Sequence, residues 1–265
     1  EVWQPISHLP AIKGCANILV VGAADISAQT RERVTATFDI PCYATADELF
    51  ADHEIDILTL ATRTPEKPKL IRQALAAGVR GFHIEKPLCN TLLELKEMKT
   101  LLCNVPVTYG CLRRYLSPYR NLADVAQGCH LGALTAMQVH SGRAMLYWTH
   151  PHSIDMMLMQ TEQSPIAVQA NFAPTQIVVE GASISLQDDP FVLGATVFFS
   201  GGVTGHITPL AGDDFWTVHE KGALGVINDG RALVVRQCRD GDPYPNDKSL
   251  SYKVTHSGGT GAAID

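Results

Sequence analysis

Apolar runs alternate with segments of helical spacing through the first half of the chain. ANILVVGAAD, residues 16 to 25, is a continuous apolar run of the kind made by a strand buried on both faces. SAQTRERVTATF follows with helical spacing and Ser27 as N-cap. IPCYA is a short extended piece, and TADELFAD pairs Thr45 with Glu48 at capping-box spacing. IDILTLAT, VRGFHIE and VPVTYG read as further strands. The helices between them are PEKPKLIRQALAAG, with Pro near its start and Gly78 at its end, and NTLLELKEMKTLL, capped by Asn90 or Thr91. YRNLADVAQG is a last helix, ending at Gly128.

Such alternation predicts an α/β fold with a parallel sheet covered on both faces and a ligand crevice beyond the carboxyl ends of its strands. Beyond Gly128 the grammar changes. LGALTAMQVHSGR reads as a strand and WTHPHSIDMMLMQ as a helix, followed by a series of short runs separated by Gly, Asp and Pro turns. That series predicts an antiparallel sheet. The expected organisation is a nucleotide-type domain over residues 1–128 and an α+β domain over 129–265 for substrate binding and oligomerisation.

Composition narrows the function. Of 265 residues, 46% are hydrophobic and 18% charged, enough to bury a sizeable core. A formal net charge of -6 argues against a nucleic-acid surface and favours small polar ligands. The seven cysteines form no CxxC pair, which predicts reduced thiols in a cytoplasmic protein. No apolar run approaches the roughly 20 residues of a membrane span.

Polar residues stand at three successive strand ends: Asp25, Thr62 and the Glu85–Lys86 pair. An acid in the place of Asp25 accepts hydrogen bonds from an adenosine ribose and repels a 2′-phosphate, favouring NAD over NADP. It is equally suited to capping the next helix. Lys86 can hold its cation near a substrate oxygen, while Pro87 turns the chain off the strand. The plain alternative is a solvated Glu–Lys pair. In THPHSID, His152 can exchange a proton with a hydroxyl, and Asp155 lies one helical turn on. The alternative is a histidine packed at a helix start. His150 and His152 lack a third ligand at a recognisable spacing, so no metal is expected there. Arg113 or Arg114 can face a polar substrate or simply solvent. Trp3, Trp148 and Trp216 can line a site or fill core, and for Trp216 core is expected.

Taken together, Asp25, IDILTLAT, the GFHIEKPL segment, YGCLRRYLSPYR and HSIDMMLM resemble the Gfo/Idh/MocA family of oxidoreductases. The resemblance implies a Rossmann domain joined to an open, mostly antiparallel sheet domain. It implies an NAD-dependent enzyme acting on a hydroxyl or carbonyl of a sugar, cyclitol or related polar molecule. Lys86 would be the substrate-polarising lysine and His152 the acid/base. Glu85 would approach the nicotinamide ribose and Asp25 the adenosine ribose, with Thr62 and Lys86 also at the cofactor. Arg114, Trp148 and Asp155 would meet substrate, and copies would associate through the second sheet.

Two departures temper this. The family commonly has an Asp four residues before the histidine, and here that residue is Trp148. The glycine-rich first strand and turn that hold a pyrophosphate have no counterpart. The expectation is therefore a fragment that binds dinucleotide poorly by itself, with the neighbours of the absent strand, ANILVVGA and IDILTLAT, left exposed. A non-catalytic dinucleotide-binding or interaction protein is the alternative reading.

Overall fold

A computed structural model describes residues 7–181, 183–186, 188–237 and 246–248. Trp3 and the terminal HSGGTGAAID lie outside them. The chain forms two compact units that part at Gly110.

The first unit runs α1 (His8–Lys13), β1 (Ala23–Ala24), α2 (Ala28–Phe38), β2 (Cys42–Tyr43), α3 (Ala46–Asp52), β3 (Ile57–Leu60), α4 (Lys67–Ala76), β4 (Gly81–Ile84), α5 (Leu92–Leu101) and β5 (Val107–Tyr109). All strand pairs here are parallel: β1 with β2, and β3–β4–β5 in that order. The expected caps form. Ser27 Oγ accepts from Thr30 N at 3.3 Å and Thr45 Oγ1 from Glu48 N at 3.2 Å. At α5 it is Thr91 that caps, in a full capping box with Glu94. Each such cap contributes about 1 kcal/mol.

β4 is buried at every position: Phe82 and Ile84 pack with α4 and α5, and His83, on the other face, meets His8 of α1. Ile71 and Ala74 of α4, Met98 of α5, and Phe82 and Ile84 of β4 form the core, each no more than 3% exposed. The run at 16–25 behaves differently from expectation: only Ala23–Ala24 pair, and with β2 alone. A parallel strand with one neighbour has half its ladder, and its apolar side chains stay in solvent. Leu19 is 84% exposed, and Ile57 on β3, which pairs only with β4, is 58% exposed.

The second unit opens with a 3₁₀ turn (Leu112–Tyr115), then α6 (Ser117–Arg120), α7 (Leu122–Gly128), β6 (Leu134–His140), β7 (Ala144–Met145) and α8 (His150–Thr161). The strands β8 (Pro165–Phe172), β9 (Ile177–Glu180), β10 (Ser183–Leu186), β11 (Phe191–Phe199) and β12 (Thr204–Thr208) follow. Last come β13 (Asp214–His219), β14 (Gly222–Ile227), β15 (Ala232–Gln237) and β16 (Asn246–Lys248). The order across the large sheet is β16-β15-β14-β13-β6-β12-β11-β7, with β8 also on β11. The β6–β12 pair is parallel and the others are antiparallel.

The residues from 111 to 128 go with this sheet, so the units part earlier than Gly128. The reason is a buried tether. Arg113 Nε donates to Asp229 Oδ1 at 2.7 Å, Gln160 donates to the Tyr119 carbonyl at 2.8 Å, and the Tyr119 ring lies 6.4 Å from Phe215. Trp216 is only half-buried, stacked over Gly225 and under the Arg236 guanidinium 4.8 Å away. Six of the cysteines are among the described residues, all as thiols. No described helix is long and apolar enough to cross a membrane.

Candidate functional site

The carboxyl ends of β3, β4 and β5 finish level. Glu85 N donates to the Leu60 carbonyl at 2.9 Å and Gly110 N to the Ile84 carbonyl at 2.8 Å. Glu85 and Lys86 therefore leave the sheet from its middle strand, half-buried, and the Lys86–Pro87 peptide bond is cis.

Four neighbours fix this turn. Lys67, fully buried at the start of α4, donates its Nζ to the Glu85 carbonyl and, at 2.5 Å, to the Pro87 carbonyl. Burial drives its pKa from 10.5 down to about 8, against the pull of Glu85. The Glu85 carboxylate accepts from Lys86 N at 3.1 Å through Oε2 and meets His8 Nε2 at 3.2 Å through Oε1. Burial would raise its pKa, but the His8 hydrogen bond and the charges of His8 and His83 outweigh that and leave it lowered. Gly110 makes the room, since a Cβ there would stand 2.7 Å from Glu85 Oε2. Gly110→Ala is accordingly expected to displace the carboxylate and to cost about 1–3 kcal/mol of stability, read by thermal melting. An unchanged melting temperature would contradict the packing described.

Beside Glu85, His83 is 2% exposed in the middle of β4. Its Nδ1 lies 2.7 Å from Thr108 Oγ1. Burial and the neighbouring His8 charge lower its pKa to about 4, so it is neutral at pH 7.

Thr62 is exposed in the bend two residues past β3. Asp25 follows β1 directly, and its Oδ1 accepts from Ser27 N at 2.8 Å. The N-cap of α2 is Ser27 and not Asp25, which instead holds the backbone of the cap residue. Arg31, one turn into α2, donates to the carbonyls of Asp25 and Ile26 at 2.8 and 3.1 Å, placing a cation at the same turn.

In the second unit, His152 lies in the first turn of α8, half-buried. The backbone N–H groups of Tyr147 and Trp148 donate to Asp189 at 2.7 and 3.0 Å, which sets the entry to that helix. Trp148 is 62% exposed. Arg114 and Asp155, both expected to meet substrate, pair with each other: Nε to Oδ2 at 2.8 Å and Nη2 to Oδ1 at 2.5 Å. This bidentate pair joins the 3₁₀ turn to α8 and engages both carboxylate oxygens. His150 is fully buried with Nδ1 3.1 Å from Ser153 Oγ, an intrahelical contact.

Sequence reasoning missed Lys67, His8, His83, Gly110 and Arg31. His83 carried the clearest signal, a polar residue inside a strand otherwise apolar enough to be wholly buried. Lys67 gave none, since a lysine in the first turn of a helix is ordinarily solvated.

A parallel sheet with polar residues at successive strand ends is followed by a large, mostly antiparallel sheet. Residues 6–110 match the model of the Gfo/Idh/MocA oxidoreductase family, NAD-binding Rossmann fold. An uncharacterized oxidoreductase of Schizosaccharomyces pombe is 27% identical over 147 residues, 54% of this chain. The match spans only 40% of that relative's length. A dehydrogenase from Chromobacterium violaceum superposes with a TM-score of 0.77 over 96% of this chain and 79% of its own, at 18% identity. An oxidoreductase from Agrobacterium radiobacter, in complex with NAD+, L-tartaric acid and magnesium, gives 0.71 over 96% and 80%, at 17% identity. A UDP-N-acetylglucosamine 3-dehydrogenase from Acidithiobacillus ferrooxidans gives 0.69 over 92% and 80%, at 16% identity. These structures share the fold.

Proposed function

We propose that the protein is an NAD-dependent dehydrogenase or reductase acting on a hydroxyl or carbonyl of a sugar, cyclitol or related polar molecule. The observation that carries the reading is the Glu85–Lys86 turn. The Glu85 carboxylate is held by His8 beside Gly110, and the backbone of the turn that carries Lys86 is held by Lys67, half-buried at the carboxyl end of the middle strand. Side chains are restrained in such a place when they must address something beyond the sheet.

The residues present suit the two ends of a dinucleotide better than its middle. Asp25 stands where an adenosine ribose would be met, and Glu85 and Lys86 where a nicotinamide ribose would be. Among the described residues, no glycine run links a strand end to a helix start, the arrangement that cradles a pyrophosphate. Nicotinamide, when bound, accepts or gives the hydride. The protein's own part is electrostatic and protonic: the Lys86 ammonium stabilises charge building on the substrate oxygen, and His152 exchanges the hydroxyl proton. Trp148 stands four residues before His152, where family members commonly carry an Asp. Exposed Ile166 and Val168 on β8 and Leu193 on β11 support self-association through the second sheet.

Asp25 supports NAD over NADP, although its carboxylate also serves Ser27 and Arg31 offers a cation beside it. NADH is expected to bind more tightly than NADPH in fluorescence titrations, and Asp25→Ala to narrow the difference. Tighter NADPH binding would give the position to Arg31.

A further inference from the structure

We propose a metal site for a zinc-type divalent ion at His8, His83 and Glu85, with the two imidazoles and the carboxylate as ligands. One ligating atom from each of the three lies within 4.8 Å of the other two. The His8 Nε2 to Glu85 Oε1 distance is 3.2 Å, close to the roughly 3.4 Å between ligands on a tetrahedral ion with bonds of about 2.1 Å. The imidazoles of His8 and His83 meet edge to face with centroids 4.8 Å apart.

What marks this as more than an ion pair is the state of His83. It is 2% exposed, its Nδ1 is taken by Thr108, and its Nε2 is buried with no hydrogen-bond partner among the described residues. In the tautomer that donates Nδ1–H to Thr108 Oγ1, His83 Nε2 carries a lone pair, the arrangement of a metal ligand with its outer-shell partner in place. His8 likewise keeps a buried Nδ1 without a hydrogen-bond partner among the described residues.

Two nitrogens and one oxygen favour Zn2+ over Mg2+ or Ca2+, and three protein ligands leave a fourth position open. Imidazole and carboxylate ligands bind a metal only in their unprotonated forms, so affinity is expected to rise with pH. The site shares Glu85 with the dinucleotide reading, but its test requires no nucleotide, so the two can fail separately.

The test is calorimetric titration of Zn2+ into the chelator-stripped, full 265-residue chain without nucleotide. The wild-type chain is expected to take up one equivalent. His83→Phe, which suits an apolar strand, and His8→Gln are each expected to weaken uptake by at least about 100-fold. Thr108→Val, nearly isosteric and not itself a ligand, is expected to weaken it about 10–100-fold by releasing the His83 ring. Should His83→Phe fail to fold by circular dichroism, His8→Gln and Thr108→Val decide. No stoichiometric uptake by the wild-type chain overturns the site. So does wild-type affinity in the folded variants, which would place any bound ion on other histidines.

Discussion

Lys86→Ala and His152→Ala are each expected to lower turnover by about 10²–10⁴-fold while leaving NADH affinity within a few-fold of wild type. The split between rate and binding is the informative part. An ammonium acting on developing oxyanion charge and an imidazole exchanging a hydroxyl proton both matter most in the transition state, so their removal falls on kcat. Steady-state kinetics on a panel of sugars and cyclitols, with NADH titrations alongside, checks it. Full turnover in both variants would remove the mechanism. An inert wild-type protein that still binds NADH would favour the alternative, a dinucleotide-binding protein that keeps the fold without the chemistry. Trp148, in place of a carboxylate, is the residue that speaks for that alternative.

Lys67→Met is expected to be the most damaging change outside the reacting groups. It removes the donor to the Glu85 and Pro87 carbonyls, and each carbonyl left unsatisfied in a buried place costs about 1–3 kcal/mol. Relief from burying a cation offsets part of this, giving an expected net loss of about 1–3 kcal/mol. The pH dependence carries a signature of its own. Between about pH 8 and 10.5 the unfolded chain keeps a proton that folded Lys67 has released. Unfolding therefore takes up protons in that window, and Lys67 makes stability rise with pH by up to about 1.4 kcal/mol per unit. Urea denaturation across the window should show Lys67→Met lacking this contribution. Identical pH slopes in the two proteins would mean that Lys67 is not held as described.

Most of the fold was legible because its elements rest on local chemistry. Ser27, Thr45 and Thr91 cap helices wherever those helices pack, and IDILTLAT or GFHIE can be little other than buried strands. ANILVVGAAD was harder, because a strand's length depends on neighbours that its own residues do not specify. With β2 alone beside it, only Ala23 and Ala24 pair. The boundary at Gly128 followed a change of pattern, whereas the actual parting at Gly110 follows Arg113–Asp229 and Tyr119–Phe215, contacts more than 90 residues apart in sequence. Of the site, Glu85 and Lys86 were legible from an expensive placement of charge at a strand end. Arg114 and Asp155 were not: which charged partner each chooses is a tertiary fact, and they chose each other. Lys67 and Gly110 act through backbone carbonyls and empty space, neither of which leaves a pattern in one sequence.

The central claim is that a dinucleotide lies over the carboxyl ends of β1, β3 and β4, and hydrogen–deuterium exchange with and without NADH tests it most directly. Protection is predicted in peptides carrying Asp25–Ser27, Thr62–Thr64 and Glu85–Leu88. Protection restricted to the second unit, or none at saturating NADH, would contradict it.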